Sequence, residues 1–134
     1  KISYTGVDIV KELIDLNNET YGNDHIKFQH GNIVEMEYPD ADLVICKHVM
    51  QHLQNDDVCK ILEKLKKFRY CLLVDQIKSP TPTNIDLPFG EDRPLDLLKP
   101  PFNLIASEIG HFYIEHEGNM HQFILVENHS EDES

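Results

Sequence analysis

The hydrophobic pattern along the chain consists of short apolar runs separated by stretches with helical spacing. Four runs have the length and the β-branched or aromatic content of strands, and they cover residues 2–9, 25–33, 42–50 and 69–77. Two stretches repeat apolar residues on one helical face, and they cover residues 10–18 and 54–68. The pattern therefore predicts the order strand, helix, strand, strand, helix, strand.

Strands that alternate with helices imply a mainly parallel sheet with right-handed crossovers and helices on both faces. The run at 42–50, "DLVICKHVM", is continuously apolar, which is typical of a strand buried on both faces. The helix at 54–68 has acids in its first turn, and we expect Asn55 or Asp56 to cap it.

The last third of the chain differs from the rest in its proline content. Residues 78–104 contain six of the seven prolines, so we expect a long ordered loop with one short helix near Pro94–Leu98. Loops of this length in compact domains are usually functional. Residues 112–128 predict two strands around the turn "EGN", which form a C-terminal antiparallel hairpin. We expect one α/β domain over residues 1–128 and an acidic tail at 129–134.

Composition narrows the classes of function. The 134 residues carry 24 acids and 12 bases, a net charge of −12 that disfavours general nucleic-acid binding. No apolar run approaches the ~20 residues of a membrane helix. Cys46, Cys59 and Cys71 are widely spaced, and we expect buried free thiols in a reducing, cytoplasmic compartment.

Ligands of open α/β sheets bind at the carboxyl ends of the strands, where several polar residues fall. Asp8 suits either a grip on the two hydroxyls of a ribose or a helix cap. Asn32 suits either the edge of an adenine ring or an ordinary turn. His48 and His52 suit a pocket mouth, a cap or a packing role. The zinc-protease pattern H-E-x-x-H fails at Val49, so we expect no metal site.

The ordered segments "YTGVDI", "IKFQHGNI", "ADLVICKHVMQHL" and "YCLLVDQ" together resemble the class I S-adenosylmethionine-dependent methyltransferases. The resemblance implies a Rossmann-like fold with S-adenosylmethionine as the cofactor. It does not identify the methyl acceptor, and because the acidic charge disfavours DNA and RNA, we expect a small molecule. It implies contacts to the cofactor from six residues: Asp8, Ile9, Asn32, Ile33, Lys47 and His48. It also implies that His48 or His52 is the general base, because imidazole titrates near neutrality.

The segment "NIDLPFGEDRPLDLLKPPFNL" is similar to the part of a bacterial-type methyltransferase subgroup that covers the active site. The matching residues include Gly90, and the resemblance implies acceptor contacts from Asn84, Asp86 and Arg93. Two features depart from the family. Asn32 stands where the family usually has Asp, and the family's first strand with its glycine-rich loop, "(D/E)-x-G-x-G-x", is missing.

In the family the missing strand lies in the sheet between the strands that are here the first and the third. We therefore expect a fragment that lacks roughly 50–90 upstream residues by family analogy. Otherwise a direct pairing of strands, or another chain in an oligomer, would fill the gap. The rival hypothesis is a non-catalytic methyltransferase-like scaffold that does not bind cofactor alone. The hairpin and "KHVMQHL" argue against a third hypothesis, a nicotinamide dehydrogenase.

Overall fold

The computed structural model describes residues 1–77, 84–86, 92–114 and 119–128, except the side chain of Asn119. These residues form two compact units, an N-terminal unit at Lys1–Asp40 and a C-terminal unit within Ala41–Ser134. The rest of the proline-rich segment, including Gly90, lies outside the described residues. So do most of the predicted hairpin turn and the acidic tail.

The N-terminal unit is a strand–helix–strand motif. Its elements are β1 at Tyr4–Asp8, α1 at Lys11–Tyr21 and β2 at Ile26–His30. The two strands are parallel, in a register that places Asp8 opposite His30. The ring of Phe28 packs against Gly6. A Cβ atom at position 6 would come within 2.9 Å of that ring, so the absence of a side chain leaves room for it. The predicted crossover motif is therefore present, and it aligns the carboxyl ends of β1 and β2.

Helix α1 runs to Tyr21, beyond the predicted end near Asn18. The side chain of Asn18 donates to Phe28 O at 2.8 Å and accepts from Phe28 N–H at 2.9 Å, so it anchors the last turn to β2. Gly22 then ends the helix with its N–H bonded to Asn18 O. A Cβ atom at Gly22 would lie 2.4 Å from that oxygen, so the end requires glycine.

The C-terminal unit is a four-stranded mixed sheet with one α-helix among its described residues. Its elements are β3 at Leu43–Lys47, a 3₁₀ turn at Met50–His52, α2 at Asn55–Leu65, β4 at Tyr70–Ile77, β5 at Ser107–Ile114 and β6 at Asn119–Glu127. The strand order is β3-β4-β6-β5. β3 and β4 are parallel, whereas β6 pairs antiparallel with β4 and β5. The predicted hairpin is thus present, although β5 begins five residues before the predicted start at 112.

The core of the C-terminal unit is built from α2, β4, β6 and the segment after Arg93. Its buried apolar residues include Met50, Val58, Ile61, Leu65, Phe68, Cys71, Leu73, Val74, Leu95, Leu97 and Ile124. Each such side chain contributes about 1.5–3 kcal/mol when it is buried completely. The helical spacing that predicted α2 is therefore the spacing of its core contacts.

Three local predictions for the C-terminal unit are wrong. β3 is open on one face, where Leu43 and Ile45 are 48% and 60% exposed. Neither Asn55 nor Asp56 caps α2; instead the N–H of Asn55 donates to Asp86 Oδ1 at 3.0 Å, from the proline-rich segment. The predicted short helix is also missing, because the described residues 92–104 form turns.

Among the described residues the strands form two sheets, one in each unit. In the N-terminal unit β1 pairs with β2, and in the C-terminal unit β3 pairs with β4. The three cysteines are free thiols, as predicted, but only Cys71 is fully buried. The predicted burial is wrong for Cys59, which is exposed on α2, and Cys46 is half-buried. Burial raises the pKa of the Cys71 thiol to about 11, which keeps that thiol protonated at neutral pH.

Candidate functional site

The N-terminal unit brings Asp8 and Asn32 to the same sheet edge. Gly31 N–H donates to Asp8 O at 3.0 Å, so the turn that carries Asn32 begins directly against the end of β1. The half-buried carboxylate of Asp8 accepts from Val10 N–H through Oδ1 at 2.8 Å. That bond closes a two-residue turn, and α1 itself has no side-chain cap. Asp8 is therefore not a helix cap in the ordinary sense.

Asn32 organises the turn that follows β2. Its Oδ1 accepts from Val34 N–H at 3.0 Å, and its backbone carbonyl accepts from Met36 N–H at 2.9 Å. Ile33 is half-buried next to it, and Ile9 is exposed next to Asp8. The end of β2 is tied to that of β1 by the 3.0 Å contact of His30 Nε2 with Ile9 O. The unit thus presents a carboxylate, an amide and two aliphatic side chains at one edge.

In the C-terminal unit, His48 directly follows β3 and turns its ring towards β6. Its N–H still pairs with Val74 O at 2.8 Å, but its φ is 55°, a left-handed conformation that is uncommon for residues other than glycine. Lys47, one residue earlier, is exposed. His48 and His52 therefore do not share a helical face.

The ring of His48 lies between two side chains that the sequence did not single out. Its Nδ1 is 3.1 Å from Gln51 Oε1, and its Nε2 is 3.1 Å from His121 Nδ1 on β6. His121 is 3% exposed, and Phe112 on β5 stacks over its ring at a centroid distance of 4.8 Å. The two histidines meet edge to face. Both ring nitrogens of His48 are thus engaged by neighbours.

Gln51 connects this pair to the segment after the proline-rich loop. Its Nε2 donates to Asp92 Oδ1 at 3.0 Å, and its Oε1 also accepts from Gln76 N–H at 3.0 Å. His52 is half-exposed and lies 3.9 Å from the same Asp92 carboxylate. Gln51 and His121 were missed by sequence reasoning. Their only signal was the presence of polar residues inside otherwise apolar elements.

Asp75 is a second buried polar group, near the carboxyl end of β4. It is 5% exposed, and within the described part of the chain its Oδ1 has no hydrogen-bond partner. Burial raises the pKa of this carboxyl to about 8, although a backbone hydrogen bond from Gln51 and the charge of Arg93 oppose the shift. Asp75 is therefore a carboxyl group that changes its charge near neutral pH.

The three predicted acceptor contacts, Asn84, Asp86 and Arg93, bind other parts of the C-terminal unit. Arg93 is buried and donates to Leu53 O at 2.7 Å and to Ile85 O at 3.1 Å. Asn84 donates to Asp96 O at 2.7 Å and accepts from Asp96 N–H at 2.8 Å. The bond of Arg93 to Leu53 O and that of Asp86 to Asn55 N–H hold the segment against the start of α2, and the other bonds join parts of the segment to one another. Whether any of the three also contacts a methyl acceptor stays a prediction.

Among the described residues, no group of three or more His, Cys, Asp or Glu side chains is placed to hold a metal ion. No helix in the same residues is long and apolar enough to cross a membrane.

Comparison with known proteins supplies a family and a fold. Residues 2–68, half of the chain, match the family described as "Methyltransferase domain". No curated protein sequence matches the chain.

Solved structures of similar fold cover almost the whole chain. Human N-acetylserotonin methyltransferase in complex with S-adenosylmethionine matches 96% of it, with a TM-score of 0.62 and 14% identity. Magnesium protoporphyrin IX methyltransferase from Synechocystis, with bound S-adenosylhomocysteine, matches 95% of it, with a TM-score of 0.64 and 15% identity. The chain spans 41% and 64% of these two proteins.

A third similar structure is the N,N-8-amino-8-demethyl-D-riboflavin dimethyltransferase from Streptomyces davawensis. It matches 95% of this chain with a TM-score of 0.58 and 13% identity, and the chain spans 42% of it. At these identities the likenesses show the fold, which is the predicted α/β, Rossmann-like one.

Proposed function

This chain belongs to the methyltransferase domain family, and on that premise we propose that it is an S-adenosylmethionine-dependent methyltransferase domain for a small-molecule acceptor. Two similar structures hold S-adenosylmethionine or S-adenosylhomocysteine, which supports this cofactor. The names of three similar proteins refer to a serotonin derivative, a porphyrin and a flavin. These names support a small organic acceptor over a macromolecule, and the net charge of −12 supports the same class.

The observation that carries the proposal is the joint placement of Asp8 and Asn32 at the carboxyl ends of two parallel strands. The carboxylate of Asp8 is oriented by Val10 N–H through one oxygen. Its charge and its second oxygen suit the two adjacent hydroxyls of a ribose. Asn32 has its amide oxygen in a turn, so its NH₂ group is the part that suits a ring nitrogen of adenine.

The apolar neighbours fit the same nucleoside. Ile9 is exposed beside Asp8, and Ile33 is half-buried beside Asn32. Ile9 and Ile33 directly follow the residues that suit ribose and adenine. Their aliphatic side chains suit the two faces of a flat purine ring. The residues of the N-terminal unit therefore fit the adenosine part of the cofactor.

When bound, S-adenosylmethionine supplies an electrophilic methyl group on a sulfonium. The residues of this chain orient the reactants and hold the proton that the acceptor gives up. The cofactor contacts of Lys47 and His48 remain predictions from the family resemblance. His48 can serve as a base only through another group, since both of its ring nitrogens are engaged.

Isothermal titration calorimetry with S-adenosylhomocysteine tests the proposal, with the natural full-length protein as the sample. We expect binding, and we expect Asp8→Asn to weaken it at least tenfold because the ribose loses a charged acceptor. The asparagine retains an oxygen for Val10 N–H, so the turn is kept. Asp24→Asn, at an exposed position of the same unit, is the matched control and should bind normally.

Two outcomes would contradict the proposal. Absence of binding by the full-length protein would favour the alternative, a non-catalytic scaffold that has lost the cofactor. Equal affinities of Asp8→Asn and the unsubstituted protein would refute the ribose contact but not the family.

A further inference from the structure

A short segment of the C-terminal unit, residues 92–97 and here called the strap, crosses the carboxyl end of β4. It is attached by two backbone hydrogen bonds. Arg93 N–H donates to Gln51 O at 3.3 Å, and Leu95 N–H donates to Gln76 O at 2.8 Å. The carboxyl ends of the strands are the edge at which open α/β sheets bind ligands. The strap therefore covers part of that edge.

Asp75 is the buried carboxyl group next to the strap. Alternation along β4 places its side chain on the same sheet face as Cys71 and Leu73, which belong to the core. Gln51, whose C=O holds the strap, donates its own N–H to the Asp75 carboxyl. Oδ1 of Asp75 has no partner in the described part of the chain. One buried residue thus joins the strap to a carboxyl group that is only half satisfied.

The closed strap suits a neutral Asp75 better than an ionised one. A carboxylate accepts several hydrogen bonds, whereas this carboxyl accepts one and is 5% exposed. Arg93 attracts the carboxylate, but its terminal nitrogens are bound to Leu53 O and Ile85 O, and its Nε has no partner among the described residues. Burial therefore outweighs the attraction and raises the pKa of Asp75 to about 8.

We propose that the strap is a pH-sensitive cover of the carboxyl end of β4, which opens more readily when Asp75 loses its proton. Opening breaks the bonds of the strap to Gln51 and Gln76 and admits water to the carboxylate, which is then hydrated. The proposal concerns the strap alone, so it does not rest on the proposed methyl transfer.

The direction of the effect follows from the protons bound in each state. The carboxyl of Asp75 has a pKa of about 8 under the closed strap, and hydration returns it towards the ordinary value of 3.8. Between these values the closed state holds one proton more than the open state. Each rise of one pH unit should then increase the opening constant about tenfold. Above about pH 8 both states are ionised, and the increase ends.

The groups that face Asp75 from the sheet and from α2 do not change charge between pH 4 and 8. The thiols of Cys46 on β3 and Cys71 on β4 have pKa values of about 12 and about 11, so they stay protonated. On β6 the uncharged Gln122 lies opposite Asp75, and beyond it on β5 lies the exposed His111. The buried residues of α2 are apolar, namely Val58, Ile61 and Leu65.

Charged and titratable groups also lie on the strap side. The strap itself carries Asp92, Arg93 and Asp96, and the charge of Asp86 acts on Arg93. Two imidazoles are close: His52 lies 3.9 Å from the Asp92 carboxylate, and Nδ1 of His48 lies 3.1 Å from Gln51 Oε1. A test of Asp75 must therefore separate its contribution from that of the imidazoles.

Hydrogen exchange of single amides, followed by NMR on the natural full-length protein, tests the proposal between about pH 5 and 7.5. The amide of Leu95 reports the strap, and its opening constant is the exchange rate divided by the intrinsic rate at each pH. We expect this constant to rise about tenfold per pH unit. In Asp75→Asn we expect it to be independent of pH, because the neutral amide keeps an oxygen for Gln51 N–H and has no proton to lose.

The amide of Ile61 in buried α2 separates strap opening from unfolding of the whole unit. We expect Leu95 to open at a lower free energy than Ile61 throughout the pH range. Equal opening constants for the two amides at every pH would overturn the proposal, because the strap would then have no opening of its own.

The variant His52→Gln is the matched control for the imidazoles. It removes the titratable ring beside Asp92 and should retain the pH dependence of the Leu95 amide. A pH dependence that persists in Asp75→Asn would refute the role of Asp75, whatever the control shows. Failure of the protein to bind S-adenosylhomocysteine would refute the proposed function and leave these exchange results standing.

Discussion

Asn18 and Asn84 make the same pair of contacts in the two units, each with the N–H and the C=O of one distant residue, and they differ in their burial. Asn18 grips the N–H and C=O of Phe28 from an exposed helix end, and Asn84 grips the N–H and C=O of Asp96 from a buried position. Water can replace the first side chain but not the second. The comparison shows that the C-terminal unit depends on buried polar contacts, whereas the N-terminal unit exposes its polar groups.

The apolar residues follow the same division. In the N-terminal unit only Ile14 belongs to the buried apolar core, and most large apolar side chains of α1 and β1 are exposed. The C-terminal unit holds the remainder of the core that the structure describes. The free energy of local unfolding rises with the amount of buried apolar contact. We therefore expect the N-terminal unit to unfold locally more readily than the sheet around β4.

The largest expected difference lies in leucine truncation. Leu95→Ala in the C-terminal unit removes a side chain that is 0% exposed, and we expect a loss of about 2–5 kcal/mol in the free energy of unfolding. Leu16→Ala on exposed α1 should change it by about 0.5 kcal/mol or less. Urea unfolding of both variants measures the difference. Equal losses would break the comparison between the units.

The asparagine pair gives the next largest effect. Asn84→Ala leaves buried backbone groups of Asp96 unpaired, and we expect a loss of about 1–3 kcal/mol. Asn18→Ala should cost about 1 kcal/mol or less, because water takes over its exposed bonds. Both costs are read from urea unfolding.

The backbone of Asn84 needs a separate control, because its φ is 63°. Asn84→Gly removes the same hydrogen bonds but accepts that backbone conformation without strain. If the glycine variant retains normal stability, the loss in the alanine variant comes from the backbone and not from the buried hydrogen bonds.

The last prediction concerns the pH dependence of Asp75. Burial raises its pKa from 3.8 to about 8, so between these values the folded state binds more protons than the unfolded state. The contribution of Asp75 to stability therefore falls as the pH rises through this window. Asp75→Asn should remove that part of the pH dependence and raise the thermal midpoint most at the alkaline end. Asp42→Asn, at an exposed position, is the control, and identical pH profiles for the two variants would contradict the assignment.

Sequence reasoning worked where a local pattern determines the structure. The helical spacing in α2 and the apolar runs of β1, β2 and β4 were sufficient, because each pattern reflects contacts of the element itself. The predictions failed where the structure of a segment depends on a residue far away in the sequence. The cap of α2 comes from Asp86, and the last turn of α1 depends on a bond from Asn18 to β2.

The candidate sites follow the same rule. Asp8 and Asn32 were predicted from their places at the ends of strands, and their joint location followed from the parallel pairing. His121 was missed because it lies in an ordinary strand, 73 residues from His48. No spacing rule connects residues so far apart. The prediction for β3 failed because an apolar run does not reveal which of its faces a neighbour covers.

The open face of β3 has a practical consequence for handling the isolated polypeptide. Leu43 and Ile45 expose aliphatic surface on one strand, and exposed aliphatic surface of this kind promotes aggregation at high concentration. The net charge of −12 opposes this through mutual repulsion between molecules, and dissolved salt weakens that repulsion. The solubility of the polypeptide should therefore decline as sodium chloride is added. The substitution Ile45→Lys or Ile45→Glu should restore the solubility.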